Sequence, residues 1–228
     1  MTENIALIKI LFGVALVSGI IMRVVSVVNY LSVRNKDIDM TPSDVHGILS
    51  MNDKSVYRMN IVYKKRHTPF YAYSEPLNIQ ANELTLNCDE GDNDIYSACA
   101  VIQKYFIYQS AVIKRAHYNF SKIMSFFVGL FSVVSMFLAS YGYNFSDEGI
   151  MINGMLIYIV TFLCGIVTSD FDVFACIESI RYIKKNGSIF TVNYYYARRI
   201  LYGYVLHKLS RASAFMFFPV SMFVGMIM

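Results

Sequence analysis

Apolar residues in this chain are gathered into long runs, and nothing else in the sequence constrains the fold as strongly. The first run covers about residues 5–28, with ILFGVALVSGIIM at its heart. At about 1.5 Å per helical residue, about twenty such residues cross a hydrocarbon layer roughly 30 Å thick, so the run predicts a transmembrane helix. Lys9 and Arg23 then stand near its two edges, where long cationic side chains can snorkel. A second span is predicted over 123–143 and a third over 150–169, joined as a helical hairpin by the polar turn 144–149. A fourth, Ala212 to Met228, has Pro219 inside and is short, so it must begin earlier, thin the bilayer or be shielded by neighbours.

Charge supports this class. Only 16% of the 228 residues are charged and the mean hydropathy is +0.44, where soluble domains carry about 25% charged residues. Lys9 ahead of an apolar stretch has the look of a secretory leader, but Glu3 is acidic and no small-x-small cleavage site follows, so the segment is expected to persist as a helix. Cys88, Cys99, Cys164 and Cys176 are too scattered for a disulfide scaffold.

Between the first two spans the character changes. Thr41 is placed to cap, and Pro42 to open, a short helix through about Met51. Three stretches, Val56–Tyr63, Pro69–Tyr73 and Glu83–Asn87, suit a small meander of strands, closed by an acidic run. From Ile95 to Ser121 a helical pattern returns, with Ile102, Tyr105, Val112 and Ala116 on one stripe and Lys104, Lys114 and Lys122 off it. It runs into the second span without a breaker. The third span likewise continues through Phe171 to Lys185, and Asn186-Gly187 ends it. Tyr194 to Arg211 then reads as an amphipathic helix, with Tyr195, Tyr196, Tyr202 and Tyr204 as interfacial belt residues. The predicted segments are thus 1–33, 34–94, 95–185 and 186–228. Together they make an all-α membrane protein of four transmembrane helices, with long cytoplasmic helix extensions and a small cytoplasmic α+β insertion.

The basic residues suggest sidedness. Eleven lie between Arg34 and Lys122 and seven between Arg181 and Arg211, while the turn between the second and third spans has none and carries Asp147 and Glu148. The positive-inside rule puts both large loops in the cytoplasm and both termini outside, and four spans satisfy the parity.

Small residues form the main candidate surface. Ser125, Gly129, Ser132, Ser135 and Ala139 recur along the second span, with Ala15 and Gly19 on the first and Thr161 and Gly165 on the third. Such residues let helix backbones approach closely, whether in a self-association face, a serine-lined pore or ordinary packing within one bundle. Asp170 and Asp172 fall at the membrane edge, where they are either functional acids or headgroup-level carboxylates, solvated or bridged to Arg181, Lys184 or Lys185. Lys64, Lys65 and Arg66, with Arg198 and Arg199, are candidates for contact with anionic lipid or a partner protein, and direct nucleic-acid binding is not expected. The four histidines are dispersed without HExxH, the cysteines show no CxxC, and neither a P-loop nor a GxSxG elbow is present. No metal, cofactor or catalytic set is therefore predicted.

A long cytoplasmic helix (95–121) entering a tight hairpin (123–169) and leaving through a second helix (171–185) resembles small membrane effectors and sensors of bacterial defence systems. With the additional spans and the insertion, the architecture resembles the four-span membrane subunit of Kiwa-type antiphage systems. That resemblance implies a homo-oligomer in the bacterial inner membrane that docks a soluble cytoplasmic partner and senses phage-induced membrane disturbance. The alternatives are an oligomeric channel, which needs Ser125, Ser132 and Ser135 open to water, and a small transporter or toxin-immunity protein. A transporter is disfavoured because no discontinuous helix or midplane charge is evident.

Overall fold

The computed structural model describes residues 2–33, 36, 38–52, 60–64, 77–86, 93–186 and 193–213. They are mostly helical: α1 (Thr2–Val33), α2 (Pro42–Asn52), α3 (Ile95–Ile113), α4 (Arg115–Asn144), α5 (Glu148–Val167), α6 (Asp170–Asn186) and α7 (Tyr194–Leu209), which ends in a 3-10 turn (Ser210–Ser213). Three short strands, β1 (Asn60–Tyr63), β2 (Leu77–Asn78) and β3 (Glu83–Leu86), form one sheet. The chain divides into two compact units. The first holds residues 1–24, 119–169 and 207–228, and the second holds 25–118 and 170–206.

In the first unit the described helices turn most of their apolar side chains outward. Leu7, Ile10, Val14, Val17 and Ile21 of α1, Phe126, Phe131 and Phe137 of α4, and Val160 and Leu163 of α5 are all exposed. The interior is small and centres on Ala15, Val128, Tyr158, Phe162 and Ala212. Three helical stretches, Asn4–Val33, Arg115–Asn144 and Glu148–Asn186, are long and apolar enough to cross a membrane. Outward apolar surface of this extent is what a lipid environment tolerates and water does not. The predicted fourth span lies outside the described residues, apart from Ala212 and Ser213 in the 3-10 turn.

The hairpin turn follows its sequence signals. Asp147 caps α5, its Oδ1 accepting the Ile150 N–H at 3.0 Å. Ser146 takes a positive φ of 56°, and the Asp147 N–H returns to the Gly142 carbonyl at 2.8 Å.

The second unit has a conventional core, in which Val33, Val45, Leu49, Leu84, Leu86, Ile102, Ile183, Ile200 and Tyr204 are each at most 1% exposed. At its centre is α3, buried on every side over Ile95–Tyr105, as a helix without a polar face must be. Asp94 caps it by accepting the Ser97 N–H at 2.6 Å. The stripe predicted for this helix is therefore too narrow: Lys104 is only 3% exposed, whereas Val112 is 49% exposed. The predicted cap of α2 is present. Thr41 Oγ1 accepts the Asp44 N–H at 3.3 Å and Asp44 Oδ2 accepts the Thr41 N–H at 2.9 Å, a reciprocal box with Pro42 in the first helical position.

Three expectations are corrected. The long helix through 95–143 is interrupted at Lys114, whose backbone (φ −113°, ψ 49°) leaves the helical region while its N–H still reaches the Ser110 carbonyl. The third span likewise breaks at Thr168–Ser169 before α6 begins. The sheet is not a meander, because β1 runs parallel to β3 (Ile61 opposite Leu84) and β2 antiparallel to it (Leu77 opposite Leu84), in the order β1-β3-β2. The tight turn between β2 and β3 uses Asn82 at φ 52° and Asn78, whose Oδ1 accepts the N–H groups of Gln80 and Ala81. Asparagine tolerates both roles. The predicted strand Pro69–Tyr73 lies outside the described residues.

Candidate functional site

The small residues of α4 meet α5. Ser132 is 1% and Ser135 0% exposed, and Ala139 and Gly142 are buried beside them. Opposite them stand Gly154, Thr161 and Gly165, also buried. The approach is close enough to exclude side chains: a β-carbon on Gly154 would meet the Ala139 backbone, and one on Gly142 would meet the Met151 backbone. The serine hydroxyls are spent locally, Ser132 donating to the Gly129 carbonyl at 2.8 Å and Ser135 to the Ser132 carbonyl at 2.9 Å. Ser125 and Gly129 flank this seam and are half-buried. At the far end Ser121 Oγ donates to the Thr168 carbonyl at 2.6 Å, satisfying an acceptor that the break in the helix would otherwise orphan.

The other two predicted packing residues meet different neighbours. Ala15 belongs to the small interior with Tyr158 and Phe162, and Phe12 packs edge-on to Tyr158 with ring centroids 5.3 Å apart. Gly19 faces the 3-10 turn, where a β-carbon would collide with Ser213 Oγ. That serine pairs with the Tyr158 hydroxyl at 3.2 Å. Sequence reasoning missed Gly154 and Tyr158, although a glycine inside an apolar span is a usable signal of backbone approach.

Cations mark both ends of α1 within the first unit. Lys9 Nζ lies 3.4 Å from Glu148 Oε1. Arg23 Nη1 lies 2.7 Å from His207 Nδ1. A shallow apolar groove of about 340 Å³ runs along the hairpin between Phe127, Phe131, Val160 and Cys164.

Of the predicted edge acids, Asp170 opens α6, and its Oδ2 lies 2.7 Å from His117 Nε2. The Arg181 guanidinium, one of the bridging partners considered for these acids, pairs with Glu178 one helical turn away at 2.6 Å. Asp172 is half-buried in the first turn of α6, where its charge suits the helix dipole. Both partners of the His117–Asp170 pair are about half exposed, which limits its worth to about 0–1 kcal/mol.

Arg198 and Arg199 are exposed on α7 and stack over Tyr202 and Tyr195 at 5.2 and 5.0 Å, an arrangement that keeps planar cations available to an acidic surface. Lys64 follows β1, its N–H donating to the Leu86 carbonyl, while Lys65 and Arg66 lie outside the described residues. Tyr204, predicted as a belt residue, is instead fully buried. The buried Lys104 ammonium sits 5.6 Å from its ring centroid. Beside Lys104, Gln103 is fully buried with neither amide atom hydrogen-bonded. Neither was marked by the sequence, where a charged and an amide residue read as solvent-facing.

Cys99 and Cys176 are buried free thiols. Burial, with Asp94 and Cys176 nearby, pushes the Cys99 thiol far above its ordinary range, so it is a packing residue and not a nucleophile. Among the described residues no group of three His, Cys, Asp or Glu is placed to share a metal ion. The chain matches no protein-family model, no curated protein and no solved structure.

Proposed function

We propose that this chain is a non-enzymatic multipass membrane scaffold or sensor that self-associates and docks a soluble cytoplasmic partner. One observation carries the reading: the chain divides into a unit whose helices expose their apolar faces and a second unit with its own closed core. The first suits lipid as solvent. The second carries Arg198 and Arg199 stacked over Tyr202 and Tyr195, and among its described residues no group of three His, Cys, Asp or Glu is placed to share a metal ion. In this proposal Ala212–Met228 completes four spans, both termini lie outside, and segments 41–120 and 171–211 form the cytoplasmic docking surface. The distribution of basic residues supports that sidedness. A role in bacterial antiviral defence, in the inner membrane, rests on the architectural resemblance alone. The channel alternative draws its support from the serine stripe, and that support is weakened by the burial of Ser132 and Ser135 against α5.

The test is purification from native membranes in mild detergent, with the mass of the complex measured and any retained soluble protein identified. An oligomer with a stoichiometric soluble partner supports the scaffold. A partner-free oligomer moves the channel to first place, and a partner-free monomer sinks both.

A further inference from the structure

Two stripes of α7 meet different surroundings. Ala197, Ile200, Leu201 and Tyr204, at the i, i+3, i+4, i+7 spacing of one helical face, are each at most 1% exposed and belong to the core of the second unit. Tyr195, Arg198, Arg199 and Tyr202 repeat that spacing on the opposite face, and all four are exposed. A helix that lies in a membrane surface buries its apolar face in lipid. In α7 that face is already packed in the protein core, so its outward stripe, and not its apolar one, is what another molecule can meet.

The outward stripe is built of cations on rings. The Arg199 guanidinium carbon lies 5.0 Å from the Tyr195 ring centroid, and that of Arg198 lies 5.2 Å from the Tyr202 centroid. Beside them, Tyr195 packs edge-on to Tyr196 with centroids 5.6 Å apart, and Lys36 Nζ stands 5.7 Å from the Tyr196 centroid. A guanidinium stacked on a ring uses its face and keeps its in-plane N–H fork for another acceptor. No carboxylate of the protein fills that role. Among the described residues neither arginine takes part in an ion pair, and the sequence has no Asp or Glu after Glu178. Three cations seated on three rings, with no acid in their own stretch of chain, complement a row of carboxylates. Arginine and tyrosine are also the side chains that most often anchor protein–protein contacts.

We propose that this stripe docks an acidic segment of a protein partner, whose carboxylates accept from the Arg198 and Arg199 forks. The proposal rests on the docking reading above and names the face and the charge of what binds there.

Full-length protein in nanodiscs of phosphatidylcholine is titrated with a short fluorescein-labelled peptide of alternating glutamate and serine and with its glutamine counterpart, and binding is read by anisotropy. The glutamate peptide is expected to bind and the glutamine peptide is not. Arg198→Gln with Arg199→Gln weakens binding about tenfold or more, Arg198→Lys with Arg199→Lys weakens it less, and Lys184→Gln, exposed on α6, leaves it unchanged. Equal binding of the two peptides overturns the proposal, as does undiminished binding by a double glutamine variant that melts like wild type. Displacement of the peptide by phosphatidylglycerol vesicles or by a single-stranded oligonucleotide, at a lower anion concentration than unlabelled glutamate peptide needs, would reassign the stripe to a membrane or to nucleic acid. Failure of the docking reading shows differently. A soluble protein that copurifies equally with wild type and with the double glutamine variant keeps that reading and sinks this face, whereas peptide binding by a chain that retains no soluble protein keeps the face and sinks the reading.

Discussion

Gly154 on α5 lies directly against the main chain of Ala139 on α4, and a β-carbon at 154 would also fall 2.8 Å from the Ser135 carbonyl oxygen. Backbone atoms cannot swing aside as a flexible side chain can, so the hairpin must open to admit even a methyl group. Gly154→Ala is expected to cost about 1–3 kcal/mol through overpacking. Gly13, which has nothing within 4 Å of its would-be β-carbon, gives the opposite sign, because alanine gains about 0.5–1 kcal/mol over glycine in a helix. Thermal melts of both variants in the same detergent decide the matter, and equal shifts would mean that the seam is looser than described.

Gln103 offers a stabilising substitution. Its amide is fully buried with both polar atoms unpaired, and each such group forfeits about 1–3 kcal/mol of desolvation. Gln103→Met keeps the length of the side chain without the polar atoms and should raise the melting temperature. If it lowers stability instead, the amide is satisfied by something bound in the native protein.

Cysteine labelling reports on α3. The Cys99 thiol is fully buried and its ionisation strongly suppressed, so iodoacetamide should leave it unmodified in the folded protein and react once denaturant is added. Rapid native labelling at Cys99 would show that the core around α3 opens readily.

The cap of α2 gives a pH dependence. Backbone and hydroxyl hydrogen bonds from Thr41 hold the Asp44 carboxyl below the ordinary aspartate range. The unfolded chain therefore binds the proton more readily than the native one. The cap contributes fully above the unfolded value of about 3.9 and is lost as pH falls through the lower native value. Carboxyl NMR should show Asp44 titrating below a model aspartate, and Thr41→Ala, which removes the hydroxyl donor and keeps the larger backbone one, should lessen that displacement without abolishing it. Complete loss of the displacement in the variant would mean that the hydroxyl, and not the backbone N–H, is its main cause.

The helices were legible because each rests on a local signal: apolar runs for α1, α4 and α5, Thr41-Pro42 for α2, and the polar turn 144–149 for the hairpin. The break at Lys114 was not, since neither glycine nor proline marks it and the apolar period passes straight through. The burial of Lys104 was hidden for a related reason. A lysine reads as solvent-facing in any pattern, and only the packing of α7, which brings the Tyr204 ring beneath it, shows otherwise. The small residues of α4 stood out by their spacing, but the glycine at 154 that they meet was not named. Which helix a small-residue face meets is settled by tertiary pairing and not by spacing.

The parallel pairing of β1 with β3 also fixes an order of events. β2 and β3 are joined by a four-residue turn and can zip together on the microsecond scale, as local hairpins do. β1 precedes them in the chain yet can only join the far edge of β3 after that strand exists, and parallel neighbours require a long crossover. During synthesis β1 therefore leaves the ribosome before its partner and must wait, an unpaired edge. The interval closes only when residues 83–86 emerge, so a translational pause just upstream of them would prolong the time in which the chain is open to misassociation.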